Sequence, residues 1–377
     1  MSFRLSLPPA NFAFVMIRFG FHTPDVVLSS DLPDITVFTD HDFVDVSLTA
    51  YGNVLLAGRY YTLNGLATVS DISSLVEDFL AGNTDENLCE FNIEASVGAE
   101  TAELSFTVLY CDKATGLYDP ADWLRQNFLT LSPVRRLAPD SFINVSWYTT
   151  EKEGIAFRVY ATFLNDKGVR DTYFYVHSGN GMIAHINGIM SQYVYMDDVR
   201  QRVMEAKKLS SLTLLSVTVR CGERSATFFI DPALADVVPF YYLNCFGVVE
   251  QLSLQRITTE KVKTDRSVAT LGRASRFYDV TTSKEYEVVS APLTSDECLQ
   301  VEQMFTSPTV RIPFGIYAVL YETDFDALTT ILITDFTSEI SDTDEKPNSV
   351  KFTWRFAENR PKVNIPTSPG IFNDKFQ

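Results

Sequence analysis

Residues 179–184 read GNGMIA, the G-x-G-x-x-A spacing that lets a backbone approach a pyrophosphate at the start of a helix. The hexapeptide follows the strand-like run DTYFYV and precedes Asp197 and Asp198. A dinucleotide site needs a helix to open at once, but the next residues, HINGIMSQ, contain Asn187-Gly188 and no helical stripe, so a turn or loop is expected. The four histidines, His22, His41, His177 and His185, form no H-x-x-x-H or H-E-x-x-H pair on which zinc chemistry could rest. Asp40 and Asp42 flank His41 and would share a face in an extended segment. Two carboxylates without further oxygen ligands hold a cation poorly, so a solvated turn is expected there too. Asp342, Asp344 and Glu345 lack the glycine and distal glutamate of a calcium loop, and Asp324 with Asp326 reads the same way. No G-x-S-x-G elbow occurs, and with 48 Asp and Glu a paired-carboxylate criterion for glycoside hydrolysis selects nothing. Cys89, Cys111, Cys221, Cys245 and Cys298 are odd in number and far apart, which argues for buried thiols rather than disulfides or zinc. No catalytic, cofactor-binding or metal-binding residue is assigned, no cofactor is implied, and a protein without enzymatic activity is expected.

The elements that carry these residues are mostly strands. Twenty-eight Phe and 17 Tyr among runs of Val, Thr and Ile suit half-buried pleated surfaces, and 377 residues favour two or three domains. Residues 1–112 contain alternating strands, a turn at Asn64-Gly65, and one amphipathic helix in SDISSLVEDFLAG with Ser70 as its cap and Gly82 as its stop. Residues 113–139 are rich in turn formers and read as a connector with one short helix, Asp119 capping and Pro120 first. Residues 140–236 repeat the plan of strands, helix (MDDVRQRVMEAKKL) and closing hairpin. Residues 237–365 form a third β-rich domain whose helix starts at Thr294 with Glu297 at capping-box spacing, and residues 366–377 form a tail. The fold class is therefore mainly β, with tandem antiparallel β-sandwich-like domains, each carrying one covering helix.

The formal net charge is −17, and basic residues cluster only in short pieces such as Arg135-Arg136, so nucleic acid is not expected as a direct partner. No apolar run approaches the roughly 20 residues that span a bilayer, and no membrane insertion is expected. The N-terminal apolar run is broken by Pro8-Pro9 and Asn11 and leaves only residues 12–17, which reads as no secretion signal.

In PFYYLNC, the adjacent Phe240, Tyr241 and Tyr242 cannot all face one core if the segment is a strand. They form the candidate interface, one side of which meets another domain or another subunit. The Tyr-rich runs RYYTLNG, DTYFYV and SQYVYMDDV also suit glycan stacking. The segments FYYLNCFGVVEQLSL, YEVVSAPLTSDECLQVEQMFTSPTVRI and EISDTDEKPNSVKFTWRFAENRPKV, in that order within residues 239–363, resemble the C-terminal region of uncharacterised virion or tail-associated proteins of bacteriophages and prophages. The resemblance implies a structural assembly protein made in the bacterial cytoplasm and built into a virion. Its implied partners are other virion or tail proteins and further copies of itself, and no catalytic residues transfer. The alternative class is a surface adhesin or carbohydrate-binding β-sandwich protein.

Overall fold

The computed structural model describes residues 17–20, 26–82, 87–117, 120–149, 156–177, 182–184, 188–271, 274–314, 324–339 and 347–358. The chain divides into two compact units, Met1–Trp123 and Leu124–Gln377. In the first unit the strands are β1 (Arg18–Phe19), β2 (Val27–Leu28), β3 (Ile35–Phe38), β4 (Phe43–Ala50), β5 (Asn53–Tyr61), β6 (Leu66–Val69), β7 (Leu88–Val97) and β8 (Glu100–Leu109). The helix α1 (Ile72–Gly82) lies between β6 and β7. A five-stranded sheet, ordered β2-β8-β7-β4-β5, faces a three-stranded sheet, β1-β3-β6, and one hydrophobic cluster draws on both. Alternation sets the inner face: Val44, Val46 and Leu48 of β4 and Phe91, Ile93 and Ala95 of β7 are buried, while the residues between them are more open. Tyr51 and Gly52 close the β4–β5 hairpin with φ of 48° and 75°, the doubly left-handed turn that matches strand twist. Asn64 and Gly65, at 54° and 78°, do the same between Leu63 and Leu66. Helix α1 begins after Asp71, one residue later than a Ser70 cap would place it, and buries Ile72, Val76 and Leu80.

The second unit opens within α2 (Ala121–Gln126) and continues through β9 (Val134–Leu137), β10 (Phe142–Tyr148), β11 (Phe157–Asn165), β12 (Arg170–Val176), β13 (Met182–Ala184) and β14 (Ile189–Tyr195). Helix α3 (Met196–Lys207) and the hairpin of β15 (Leu212–Cys221) and β16 (Arg224–Ile230) complete its middle module. The sheet orders are β12-β11-β15-β16-β9 and β10-β14-β13, again five strands over three around one core. In chain order, the two five-stranded sheets have the same topology. In each, the first strand lies parallel to the last (β2 to β8, β9 to β16), and the remaining pairs are antiparallel.

The stretch expected to be a connector, 113–139, is corrected by this arrangement. It supplies α2, places Phe128 and Leu137 in the middle core and inserts β9 as an edge of the sheet. Four residues paired to a strand some 90 positions away leave too short a pattern to rise above a turn-rich surrounding. The tail at 366–377 lies outside the described residues.

The C-terminal module is built from β17 (Phe240–Leu243), β18 (Val249–Leu252), β19 (Arg256–Leu271), β20 (Ala274–Ser290), β21 (Val310–Ile312), β22 (Thr329–Glu339) and β23 (Ser349–Phe356). They form one antiparallel sheet, β18-β17-β21-β22-β23-β20-β19, under helix α4 (Ser295–Thr306). Phe240, Tyr242, Phe352 and Trp354 from the sheet meet Cys298, Val301 and Met304 from α4 in its core. Both arms of the capping box form: the Glu297 amide donates to Thr294 Oγ1, and the Thr294 amide donates to Glu297 Oε2 at 2.8 Å. The chain is thus mainly β, and no helix among the described residues is long and apolar enough to cross a membrane.

Candidate functional site

Phe240, Tyr241 and Tyr242 are all buried, and strand alternation sends them to two destinations. Phe240 and Tyr242 enter the C-terminal core. Tyr241 turns the other way and lies in a small cluster with Phe142 of the middle module and Leu328; its ring stacks on that of Phe142 at 6.2 Å and 20°. The candidate interface is therefore a joint between two modules of one unit, and its side chains are closed to a second chain.

A buried polar lattice continues the joint. Arg135 and Arg136 are neighbours on β9, so their side chains leave opposite faces. Arg135 reaches Glu250 of β18 at 3.0 Å, with both side chains nearly fully buried, and donates to the Ser132 carbonyl at 2.7 Å. Glu250 also accepts from Tyr242 Oη at 2.9 Å and Asn244 Nδ2 at 2.7 Å, and the same Asn244 group donates to the Leu129 carbonyl at 2.8 Å. Burial drives the Tyr242 phenol well above its ordinary value of 10.0, and the Glu250 charge adds to the shift. Arg136 grips Glu297, the N3 residue of α4, through two hydrogen bonds, and Asp231 at 3.2 Å. The hydrogen bond to Glu297 raises the pKa of Arg136 further. The adjoining cavity, lined by Phe128, Arg135, Asn144 and Glu250, holds ≈ 10 Å³, at most one water. Such a cluster binds modules together and offers no room to a substrate. Sequence reading saw Arg135-Arg136 only as a short basic piece, because their carboxylate partners, Asp231, Glu250 and Glu297, lie 95 or more positions away.

The other sequence candidates stay apart. Met182–Ala184 of GNGMIA is strand β13, paired antiparallel with β14, so the G-x-G-x-x-A spacing opens no helix. His177 lies buried between the rings of Phe157 and Tyr175, His41 faces Glu100 at 3.8 Å, and His22 and His185 fall outside the described residues. Asp40 and Asp42 sit exposed in the bend before β4. Asp324 accepts from the Asp326 amide, Asp326 pairs with Arg311 at 2.8 Å, and Asp342, Asp344 and Glu345 fall outside the described residues, as does Asp119. Among the described residues no group of three or more His, Cys, Asp or Glu is placed to hold a metal ion. All five cysteines are buried, and none is joined in a disulfide. Of the tyrosine-rich runs, Tyr173 and Tyr175 line an open hollow, but Arg202 covers the Tyr175 ring at 5.1 Å, which occupies the face a sugar would stack on.

The feature that sequence reading missed is the β19–β20 hairpin. Its strands of 16 and 17 residues pair from Arg256↔Ser290 to Leu271↔Ala274, a length of about 50 Å at about 3.3 Å per residue. A third strand, β23, supports β20 only over residues 286–289. Beyond that base the hairpin is a two-stranded arm. Residues 257–266 are exposed without a break, so both faces of β19 meet solvent, and Ile257, Val262, Val268 and Phe277 are each more than half exposed. Ion pairs brace its base: Lys284 with Glu260 at 2.7 Å, and Glu287 with both Lys261 and Lys351, the latter at 2.8 Å. These two lysines hold the Glu287 carboxyl down to about 2.

No protein-family model and no curated protein matches the chain. A solved structure, a chimeric titin Z1Z2 functionalised with a KLER exogenous peptide from decorin, aligns with 58% of this chain and 99% of its own at 15% identity and a TM-score of 0.18. Overlap at that level assigns neither fold nor function.

Proposed function

We propose that this protein is a non-enzymatic structural component that assembles through protein contacts into a phage-like particle, with further copies of itself and other particle proteins as partners. The observation that carries the reading is the arm. An isolated two-stranded hairpin is marginal in water, and an exposed edge with unpaired backbone groups is a template for pairing with another chain. A chain that extends some 25 residues as such an arm, with apolar side chains on it, supports a role in which a neighbour covers them. The buried joint complements this role, since it holds the base of the arm in one module firmly to the next.

The test is solution mass by light scattering with chromatography over a wide concentration range, on the full chain and on a chain in which residues 261–285 are replaced by Asn-Gly. That turn joins the cross-strand pair Glu260↔Tyr286 without changing the register. The full chain is expected to form discrete oligomers and the shortened chain to remain a folded monomer. A full chain that is monomeric at every concentration would remove the reading.

A further inference from the structure

The charge of the chain is unevenly divided. The first unit, Met1–Trp123, holds 18 acidic residues and 4 basic ones, so it carries −14 of the total −17. The arm beyond its base, residues 261–271 with 274–285, has the opposite sign: five basic residues against three acidic. Toward its tip, residues 263–271 and 274–276 hold three basic residues and one acidic. Lys263 and Arg266 are both exposed there.

The acidic unit concentrates carboxylates on the outer face of its five-stranded sheet. The inward residues of β7 are Phe91, Ile93 and Ala95, which leaves Glu90 and Glu94 outward; the same alternation puts Asp45 and Glu103 on that face. Glu94 and Glu103 stand directly opposite each other on neighbouring strands, an arrangement that costs stability when like charges face. The five strands contain a single basic residue, Arg59. It is taken up by Asp45 through two 2.8 Å hydrogen bonds and by the Phe43 ring at 4.0 Å.

We propose that the basic arm of one copy docks on the outer sheet face of the acidic N-terminal unit of a second copy. The inference rests on the assembly reading above and names its contact surfaces. Every copy carries both a donor and an acceptor, so the contact is heterologous and repeats from copy to copy, closing into a ring or continuing as a filament. A nucleic acid is the poorer occupant, because the −17 chain repels it and acidic residues interrupt the arm's basic ones.

The experiment compares the full chain, Lys263→Glu/Arg266→Glu, Glu94→Lys/Glu103→Lys, and the chain with all four changes, by light scattering from about 0.1 to about 1 M salt. Lys263, Arg266 and Glu103 are exposed and Glu94 is half-buried on the outer face, and circular dichroism with thermal melting checks that each variant folds. Each double variant is expected to weaken association by about tenfold or more, the fourfold variant to regain most of it, and salt to dissociate the wild type. A wild type that is monomeric throughout overturns the assembly reading itself. A wild type that assembles but ignores salt and both reversals overturns the arm-to-acid contact and leaves assembly standing. Weakening by the arm variant alone, without an effect of the acceptor variant, also overturns it, since the arm then docks elsewhere.

Discussion

At the scale of single residues, the joint turns on Glu250. One carboxylate answers Arg135, Tyr242 and Asn244 in a site that water barely enters. Removing it leaves a buried guanidinium and two unsatisfied donors. Glu250→Ala is expected to cost about 3–5 kcal/mol, read as a lower urea midpoint of the second unit. Tyr241→Ser empties the stack on Phe142 and is expected to cost a similar amount, about 3 kcal/mol, with no separate effect on association. The presence of an awkward aromatic triplet was legible in PFYYLNC, since neighbouring strand residues must face opposite ways. Its destination was not. Nothing local to residues 240–242 distinguishes a neighbouring module from a neighbouring chain.

At the scale of elements, the arm base has a pH dependence with a definite sign. Glu287 is held at about 2 against an ordinary 4.5 by Lys261 and Lys351, so its pairing contributes stability above the ordinary value and loses it as pH falls through the lowered one. The strand pairing of β20 with β19 and β23 is expected to loosen between about pH 4.5 and about pH 2, followed by hydrogen exchange at residues 258–262 and 286–289, and Glu287→Gln is expected to flatten that dependence. Helix α4 is legible in the sequence, because a capping box and the spacing of Cys298, Val301 and Met304 are local signals. Strand β23 is equally clear: Val350, Phe352, Trp354 and Phe356 alternate strictly with more open residues. The arm escapes such reading because alternation arises from burial on one side. With solvent on both faces, TTEKVKTDR has no apolar period to find, and only Gly272-Arg273 between two Thr- and Val-rich runs marks it.

At the scale of the molecule, two compact units predict separable unfolding. Each has its own hydrophobic cluster and sheets, and the middle and C-terminal modules share the Arg135–Glu250 lattice. Chemical denaturation is expected to show two transitions, with Glu250→Ala lowering only the one that belongs to residues 124–377. Limited proteolysis between the units, followed by melting of the fragments, assigns each transition.

The sequence by itself determined the class of structure: strands from period-two alternation, a turn from Asn64-Gly65, and helices from 3.6-residue stripes and caps. It also determined the recurring order of strands, helix and closing hairpin in the first two β modules. These follow from backbone sterics and local burial, which act over a few residues. Only the tertiary structure decided that β9 belongs to a sheet, that Arg135 and Arg136 clasp two modules, that Tyr241 ends against Phe142, and that the β19–β20 hairpin leaves the body as an arm beyond residues 260 and 286. Each of those depends on pairing across long sequence separations or on the absence of a covering layer, and neither leaves a periodic trace in the chain.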